Sequence, residues 1–83
     1  MRITLKLFAG LAKYLPRAAI RNEVGLEVES GTTLSTLLEN NGVPADECHL
    51  VLVNGIYIPP SERETHELLD SDTLAVWPPV AGG

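Results

Sequence analysis

The sequence predicts an α+β roll: a mixed sheet of about five strands with one main helix packed across it. Three observations lead there. Apolar residues alternate with period two in three separate stretches, at 2–8, 24–29 and 73–77. A single capped amphipathic helix follows the second stretch. An Asn-Gly pair at 54–55 sits between two β-branched runs. The resulting order is β-β-α-β-β-β. A right-handed crossover through the helix makes the first strand a parallel neighbour of the third or the fifth.

Each element has a local reason. In residues 2–8, Ile3, Leu5 and Leu7 face a core, with Thr4 and Lys6 on the other side. Residues 9–22 predict a short helical turn around Ala12–Leu15, stopped before Pro16. Gly10 has no second glycine or Lys-Ser/Thr at phosphate-loop spacing, so it is not read as a phosphate loop. Val24, Leu26 and Val28 point inward from the second strand, and Ser30-Gly31 turns the chain. From Thr33 to Asn41 a threonine hydroxyl caps a helix whose Leu34, Leu37 and Leu38 share one face. Gly42 ends it and Pro44 prevents its resumption. Such a helix is too short to be stable alone and must lie on a sheet.

Asn54-Gly55 specifies a type I′ hairpin that pairs Val53 with Ile56, Leu52 with Tyr57 and Val51 with Ile58. Val51, Val53, Ile56 and Ile58 then share one face, and Leu50, Leu52 and Tyr57 the other. Both faces are apolar, whereas one helix covers only one side of a small sheet. The second side is either wrapped by loops or left as a docking patch. Pro59-Pro60 breaks the hairpin; residues 61–69 form a capped turn or an extended connection ending in a Leu68-Leu69 anchor. Asp70-Ser71-Asp72 is a turn. In the last strand Leu74 and Val76 face one side, Ala75 and Trp77 the other.

Composition bounds the function. Eighty-three residues make one domain, read here as residues 1–77 followed by an extended, flexible tail, 78–83. No apolar run approaches the roughly 18 residues that span a membrane, and no secretory signal opens the chain. One cysteine excludes an internal disulfide, and a cytoplasmic setting is expected. A net charge of −5 argues against nucleic acid as a partner. The charge is uneven. Residues 1–22 carry Arg2, Lys6, Lys13, Arg17 and Arg21 with no acid, while the remaining chain carries every acid and only Arg63 as a cation. The acidic remainder reads first as a solvated face, with a basic partner surface near the tail as the alternative. Cys48 and His49 lack partners at metal-ligand spacing, so no metal site is expected; Cys48 reads as a packing residue. Glu62, Glu64 and Glu67 read as a solvated face.

The tail has its own physics. Pro78-Pro79 is stiff and cannot continue a sheet interior. Pro78 to Gly83 spans roughly 20 Å when extended. Gly82 and Gly83 carry no Cβ, so a carboxylate on that tip enters a pocket where alanine would collide. Ordering four tail residues in a groove costs on the order of 4–8 kcal/mol. Burying Val80 and Ala81 returns only about 2–3 kcal/mol. The tail alone cannot hold a partner, and the folded body must supply a docking surface.

Over its whole length the chain resembles the ubiquitin-like β-grasp sulfur carriers, in particular the MoaD-like small subunit of molybdopterin synthase. The resemblance rests on Ile3–Phe8 running into Ala9-Gly10-Leu11, on the capped helix, on Leu52-Val53-Asn54-Gly55, and most on Leu69-Asp70-Ser71-Asp72 through Trp77-Pro78-Pro79-Val80-Ala81-Gly82-Gly83. Ser71 stands where that family usually has glycine, and Trp77 where phenylalanine is common. The resemblance implies a protein that is not catalytic alone and holds no permanent cofactor. An E1-like adenylyltransferase (MoeB/ThiF type) uses Mg-ATP to adenylate the Gly83 carboxylate, which is then converted to a thiocarboxylate. The large synthase subunit (MoaE type), in a heterotetramer, receives the tail beside a pterin precursor on the route to molybdenum or tungsten cofactor. On this resemblance Gly82 and Gly83 are the reacting tip, Pro78, Pro79, Val80 and Ala81 the threading segment, and Phe8 and Trp77 docking residues. The alternatives are a ubiquitin-like modifier joined to lysines through Gly83, or a carrier for thiamine, cysteine or tRNA thiolation.

Overall fold

A computed structural model describes residues 1–80. It contains β1 (Arg2–Leu7), β2 (Glu23–Glu27), α1 (Leu34–Asn40), β3 (Leu50–Val53), β4 (Ile56–Tyr57) and β5 (Thr73–Trp77), with 3-10 turns at Ala9–Tyr14, Ala45–Glu47 and Pro60–Glu62. The sheet order is β2-β1-β5-β3-β4. β5 runs parallel to β1, and every other pairing is antiparallel. This is the β-grasp roll: the last strand fills the gap between two hairpins. No helix among the described residues is long and apolar enough to cross a membrane.

Alternation places Ile3, Leu5 and Leu7 of β1, Val51 and Val53 of β3, and Leu74 and Val76 of β5 on one buried face. Leu34, Leu37 and Leu38 of α1 close over it, joined by Leu11, Val43, Ile58 and Leu68. Val24, Leu26 and Val28 pack at the margin of the same core.

The ends of α1 are fully accounted for. The Thr33 hydroxyl accepts from the Thr36 N–H at 3.2 Å. The Leu34 and Ser35 N–H groups donate to the carbonyls of His66 (2.9 Å) and Arg63 (3.0 Å). The 60s segment thus satisfies donors that a short helix leaves free. At the other end Gly42 (φ +77) and Val43 donate to Glu39 and Leu38, a Schellman stop with Val43 buried beneath it.

The type I′ hairpin forms as expected, with positive φ at Asn54 (51) and Gly55 (82). Asn54 does more than turn the chain. Its amide nitrogen donates to Asp72 Oδ1 (2.8 Å), and its amide oxygen accepts from the Thr73 N–H (2.9 Å). The buried Asp72 carboxylate also accepts from the Leu69 N–H at 2.8 Å. This junction fixes where β5 begins. Ser71 keeps the turn by adopting a left-handed backbone, φ +71.

Three expectations are corrected. The first helical turn begins at Ala9, not Ala12, because Ala9 takes φ +51 and bends the chain directly after Phe8. Ile56 lies opposite Val53 but is 68% exposed, since the two-residue edge strand projects past the helix. Leu68 alone anchors the 60s segment, and Leu69 faces solvent.

Ser71→Gly removes a left-handed non-glycine residue and should stabilise the fold by about 1 kcal/mol, a rise in Tm of about 5 °C in thermal unfolding. Asn54→Ala should cost about 2 kcal/mol in denaturant titration, because two side-chain hydrogen bonds disappear and Asp72 loses a donor.

Candidate functional site

The parallel register of β1 with β5 aligns Leu7 with Val76, which sets Phe8 beside Trp77. Their rings stack 4.4 Å apart between centroids and 8° from parallel. Both are half-buried and lie on the sheet face opposite α1. The Phe8 N–H donates to the Val76 carbonyl (3.1 Å), and the His49 N–H donates to the Trp77 carbonyl (2.9 Å). The backbone is therefore held on both flanks up to Trp77. Pro78 has no N–H to extend the ladder, and pairing stops there. The chain leaves the sheet through half-buried Pro78, then exposed Pro79 and Val80. Ala81, Gly82 and Gly83, the tip singled out from the sequence, lie outside the described residues.

The stacked pair is one end of a larger apolar surface. Leu50 pairs with Trp77, and Leu52 with Ala75 on one side and Tyr57 on the other. Two rows result: Phe8-Trp77-Leu50, and Ala75-Leu52-Tyr57 below it. Leu50 and Tyr57 are exposed, Leu52 is half-buried, and the small Ala75 is buried between its neighbours. No element of the described chain covers this face. Lys6, level with Ala75 across the β1–β5 pairing, brings a cation to its edge. The sequence showed an apolar second face on the hairpin; its union with Phe8 and Trp77 required knowing that β5 separates β1 from β3.

One residue that sequence reasoning missed supports the tail's root. Arg63 is only 8% exposed, yet among the described residues no carboxylate pairs with it. Its guanidinium instead donates to three main-chain carbonyls: Ile58 (3.0 Å), Cys48 (2.8 Å) and His49 (3.1 Å). The residue that clamps Trp77 is thus itself clamped from behind. A lone arginine in an acidic stretch gives no sequence sign of that role.

Cys48 is buried, with its Sγ 3.4 Å from the Pro44 carbonyl. Burial pushes its thiol pKa up, and the nearby Arg63 charge offsets this only in part. Burial also raises the Tyr14 phenol, helped by its hydrogen bonds to the Glu47 carboxylate at 3.0 and 3.2 Å. Neither group is poised as a nucleophile near neutral pH. Among the described residues no three His, Cys, Asp or Glu side chains are grouped to hold a metal ion. Glu62, Glu64 and Glu67 are all exposed. What the geometry offers is a firmly held strand end, an uncovered apolar face beside it, and exposed Pro79 and Val80 beyond.

These features define a protein of ubiquitin-like β-grasp fold. The ThiS family pattern matches residues 6–83, and the chain belongs to that family of ubiquitin-fold sulfur carriers. Solved structures agree. The small archaeal modifier protein 1 of Methanosarcina acetivorans is 28% identical, with a TM-score of 0.65 over 99% of this chain and 96% of that one. Urm1 from Trypanosoma brucei is 19% identical, with a TM-score of 0.69 over 99% and 95%. Subunit 1 of the Helicobacter pylori molybdopterin-converting factor, solved in complex with subunit 2, is 19% identical, with a TM-score of 0.57 over 100% of both chains. The last two likenesses concern the fold. No curated protein matches the chain in sequence.

The thiol shift gives a test with a defined sign. Because folding raises the Cys48 pKa, the thiolate is disfavoured in the native state, and stability falls as pH rises above the ordinary thiol value of about 8.5. Native protein at neutral pH should react with iodoacetamide at least about tenfold more slowly than urea-unfolded protein, measured by mass spectrometry.

Proposed function

We propose that the chain is the sulfur-donating small subunit of a molybdopterin synthase. The observation that carries this reading is the ending Pro78-Pro79-Val80-Ala81-Gly82-Gly83, launched from the stacked Phe8–Trp77 pair at the rim of an uncovered apolar face. In the Helicobacter pylori complex a chain of this fold binds a second subunit. Here the face around Phe8, Leu50, Tyr57 and Trp77 is the surface for such a subunit, with two carriers serving a heterotetramer.

The chemistry follows from the carboxylate. A carboxylate is a poor acyl donor because oxide is a poor leaving group. Transfer of AMP from Mg-ATP to the Gly83 carboxylate, by an E1-like partner, forms an acyl-adenylate and releases pyrophosphate. The terminal sulfur of a protein persulfide attacks the acyl carbon and expels AMP. A thiol then reduces the resulting acyl disulfide, leaving the Gly83 thiocarboxylate. Inside the large subunit that sulfur attacks the pterin precursor, water then cleaves the Gly83 acyl–sulfur bond and returns the carboxylate, and two carriers supply the two dithiolene sulfurs. The chain's own part is reach and fit. A roughly 20 Å tail crosses the partner's wall, and its glycines pass where a Cβ would not.

A second reading has its own support. The Methanosarcina acetivorans likeness is to a protein modifier, and the same activated Gly83 can acylate a lysine amine. Carriers for thiamine, cysteine or tRNA thiolation share the chemistry.

Intact mass of the protein isolated from its native cells separates these readings. A gain of about 16 Da at Gly83, on a C-terminal sulfur that alkylation then labels and so distinct from oxidation at Met1 or Cys48, supports the carrier. A population found only in lysine-linked conjugates overturns it in favour of the modifier. Trp77→Glu should leave the fold intact by circular dichroism and weaken binding to the large subunit at least about tenfold in titration calorimetry; loss of folding would place that ring in the core.

A further inference from the structure

We propose that the outer edge of β2, with the groove between it and α1, binds an extended peptide segment of another protein that adds to the sheet as a sixth strand. The segment alternates apolar residues with lysine or arginine, and its binding is independent of the tail. β2 ends the sheet on one side. Its even-numbered residues turn their main-chain groups toward β1: the Leu7 N–H donates to the Asn22 carbonyl (3.0 Å), and the Val28 N–H donates to the Met1 carbonyl (2.9 Å). Strand alternation turns the odd-numbered residues outward. Glu23 uses its outward groups on Ile20, at 2.9 and 3.1 Å, and the Glu29 carbonyl accepts from the Thr32 N–H (3.2 Å). Between these two turns the outward N–H and C=O groups of Gly25 and Glu27 have no hydrogen-bond partner among the described residues. Four unpaired groups in register form a template for another strand.

The same alternation gives the edge a place for side chains. Leu26 and Val28 face the α1 side of the sheet, half-buried at the margin of the core. Thr36, Leu37 and Asn40 of α1 stand opposite them, and a groove of about 490 Å³ lies between. A strand laid along Gly25 and Glu27 turns the residues level with Leu26 and Val28 into this groove. Its other residues face the side of Gly25 and Glu27. There Arg2 reaches across Gly25, its Nη2 2.6 Å from where a Cβ would stand, and pairs with Glu27 at 3.0 Å. Glu29, which also lines the groove, has no cation partner among the described residues.

Charge and register select the occupant. The only charged side chains lining the groove are Glu27 and Glu29. Lysine or arginine opposite them is favoured, and a carboxylate or phosphate is repelled. A second copy does not fit. Pairing β2 with β2 through all four free groups centres on Leu26 and sets Glu23 opposite Glu29 twice, like charges face to face. The chain's own tail does not fit either. It leaves β5, with β1 in between, at the Leu7 end of β1, whereas Gly25 and Glu27 lie opposite Thr4 and Arg2. Pro78 and Pro79 also have no N–H to give the ladder. An extended peptide meets both demands: its main chain supplies the hold, and its alternating side chains supply the selection.

The test uses the full chain, labelled with nitrogen-15, and the capped peptide acetyl-Lys-Val-Lys-Ile-Thr-Val-amide at about 1 mM. Amide hydrogen exchange at Gly25 and Glu27 should slow about tenfold or more on adding the peptide, with shift changes along Leu26, Val28 and Thr36. The same peptide with glutamate in place of both lysines should bind about tenfold more weakly at about 0.05 M salt, a gap that narrows at about 0.5 M. Glu27→Lys/Glu29→Lys, two exposed positions, should invert that preference. Two further peptides carry N-methyl groups on odd or on even residues; only one phase should lose binding, because a ladder uses alternate amides. These peptides leave the protein unaltered, so no folding defect confuses the result. Equal binding of both phases, or of the basic and acidic peptides, overturns the proposal. So do shifts confined to Phe8, Leu50 and Trp77, or no shifts at all. Protection of Gly25 and Glu27 without peptide, rising with protein concentration, overturns it in favour of a second copy.

Discussion

The parallel pairing of β1 with β5 is the contact on which the rest of the molecule depends. It joins the first strand to the last, and its register alone brings Phe8 next to Trp77. It also seats β5 between two antiparallel hairpins that do not otherwise touch within the sheet. With β5 in place, Leu74 and Val76 complete the floor beneath α1 while Ala75 and Trp77 complete the opposite face. One strand therefore finishes the core, completes the apolar face opposite α1 and carries Pro78, Pro79 and Val80 out of the sheet.

Polar groups fix that strand at both ends. At its start, Asn54 and Asp72 lock the hairpin tip to the preceding turn. At its end, Arg63 holds the carbonyls of Cys48 and His49, and His49 holds Trp77. Buried polar groups of this kind add little net stability when satisfied, yet removing one partner is expensive. They set position. A tail that must enter a narrow pocket gains from a root that does not shift.

Much of this was legible in the residues. Alternation identified β1, β2 and β5, Asn54-Gly55 identified the hairpin, and Thr33 and Gly42 marked the limits of α1, because each of these signals acts within a few residues. The chain's own spacing left open whether β1 adjoins β3 or β5, since parallel pairing is settled by long-range packing. Ile56 shows the same boundary. Its alternation was right, but exposure depended on how far the helix extends over a two-residue strand. Arg63 was opaque for a related reason: its partners are main-chain carbonyls, which leave no mark in sequence. Of the site, the stacking of Phe8 on Trp77 was not legible, because it follows from the β1–β5 register and not from any local pattern.

The position of β5 also bears on how the protein is made. β1 with β2, and β3 with β4, can each pair while the chain is still being extended, but the strand between them is synthesised after both. Until residues 73–77 leave the ribosome, the two hairpins have no shared sheet and α1 has only part of its floor. Closing that gap requires the most sequence-distant contact in the fold, the kind that tends to form late. The Pro78 segment is anchored only by that same closure. A nascent or truncated chain therefore has no ordered root at Trp77 and Pro78, so the segment that follows β5 takes its place only in the finished, folded molecule.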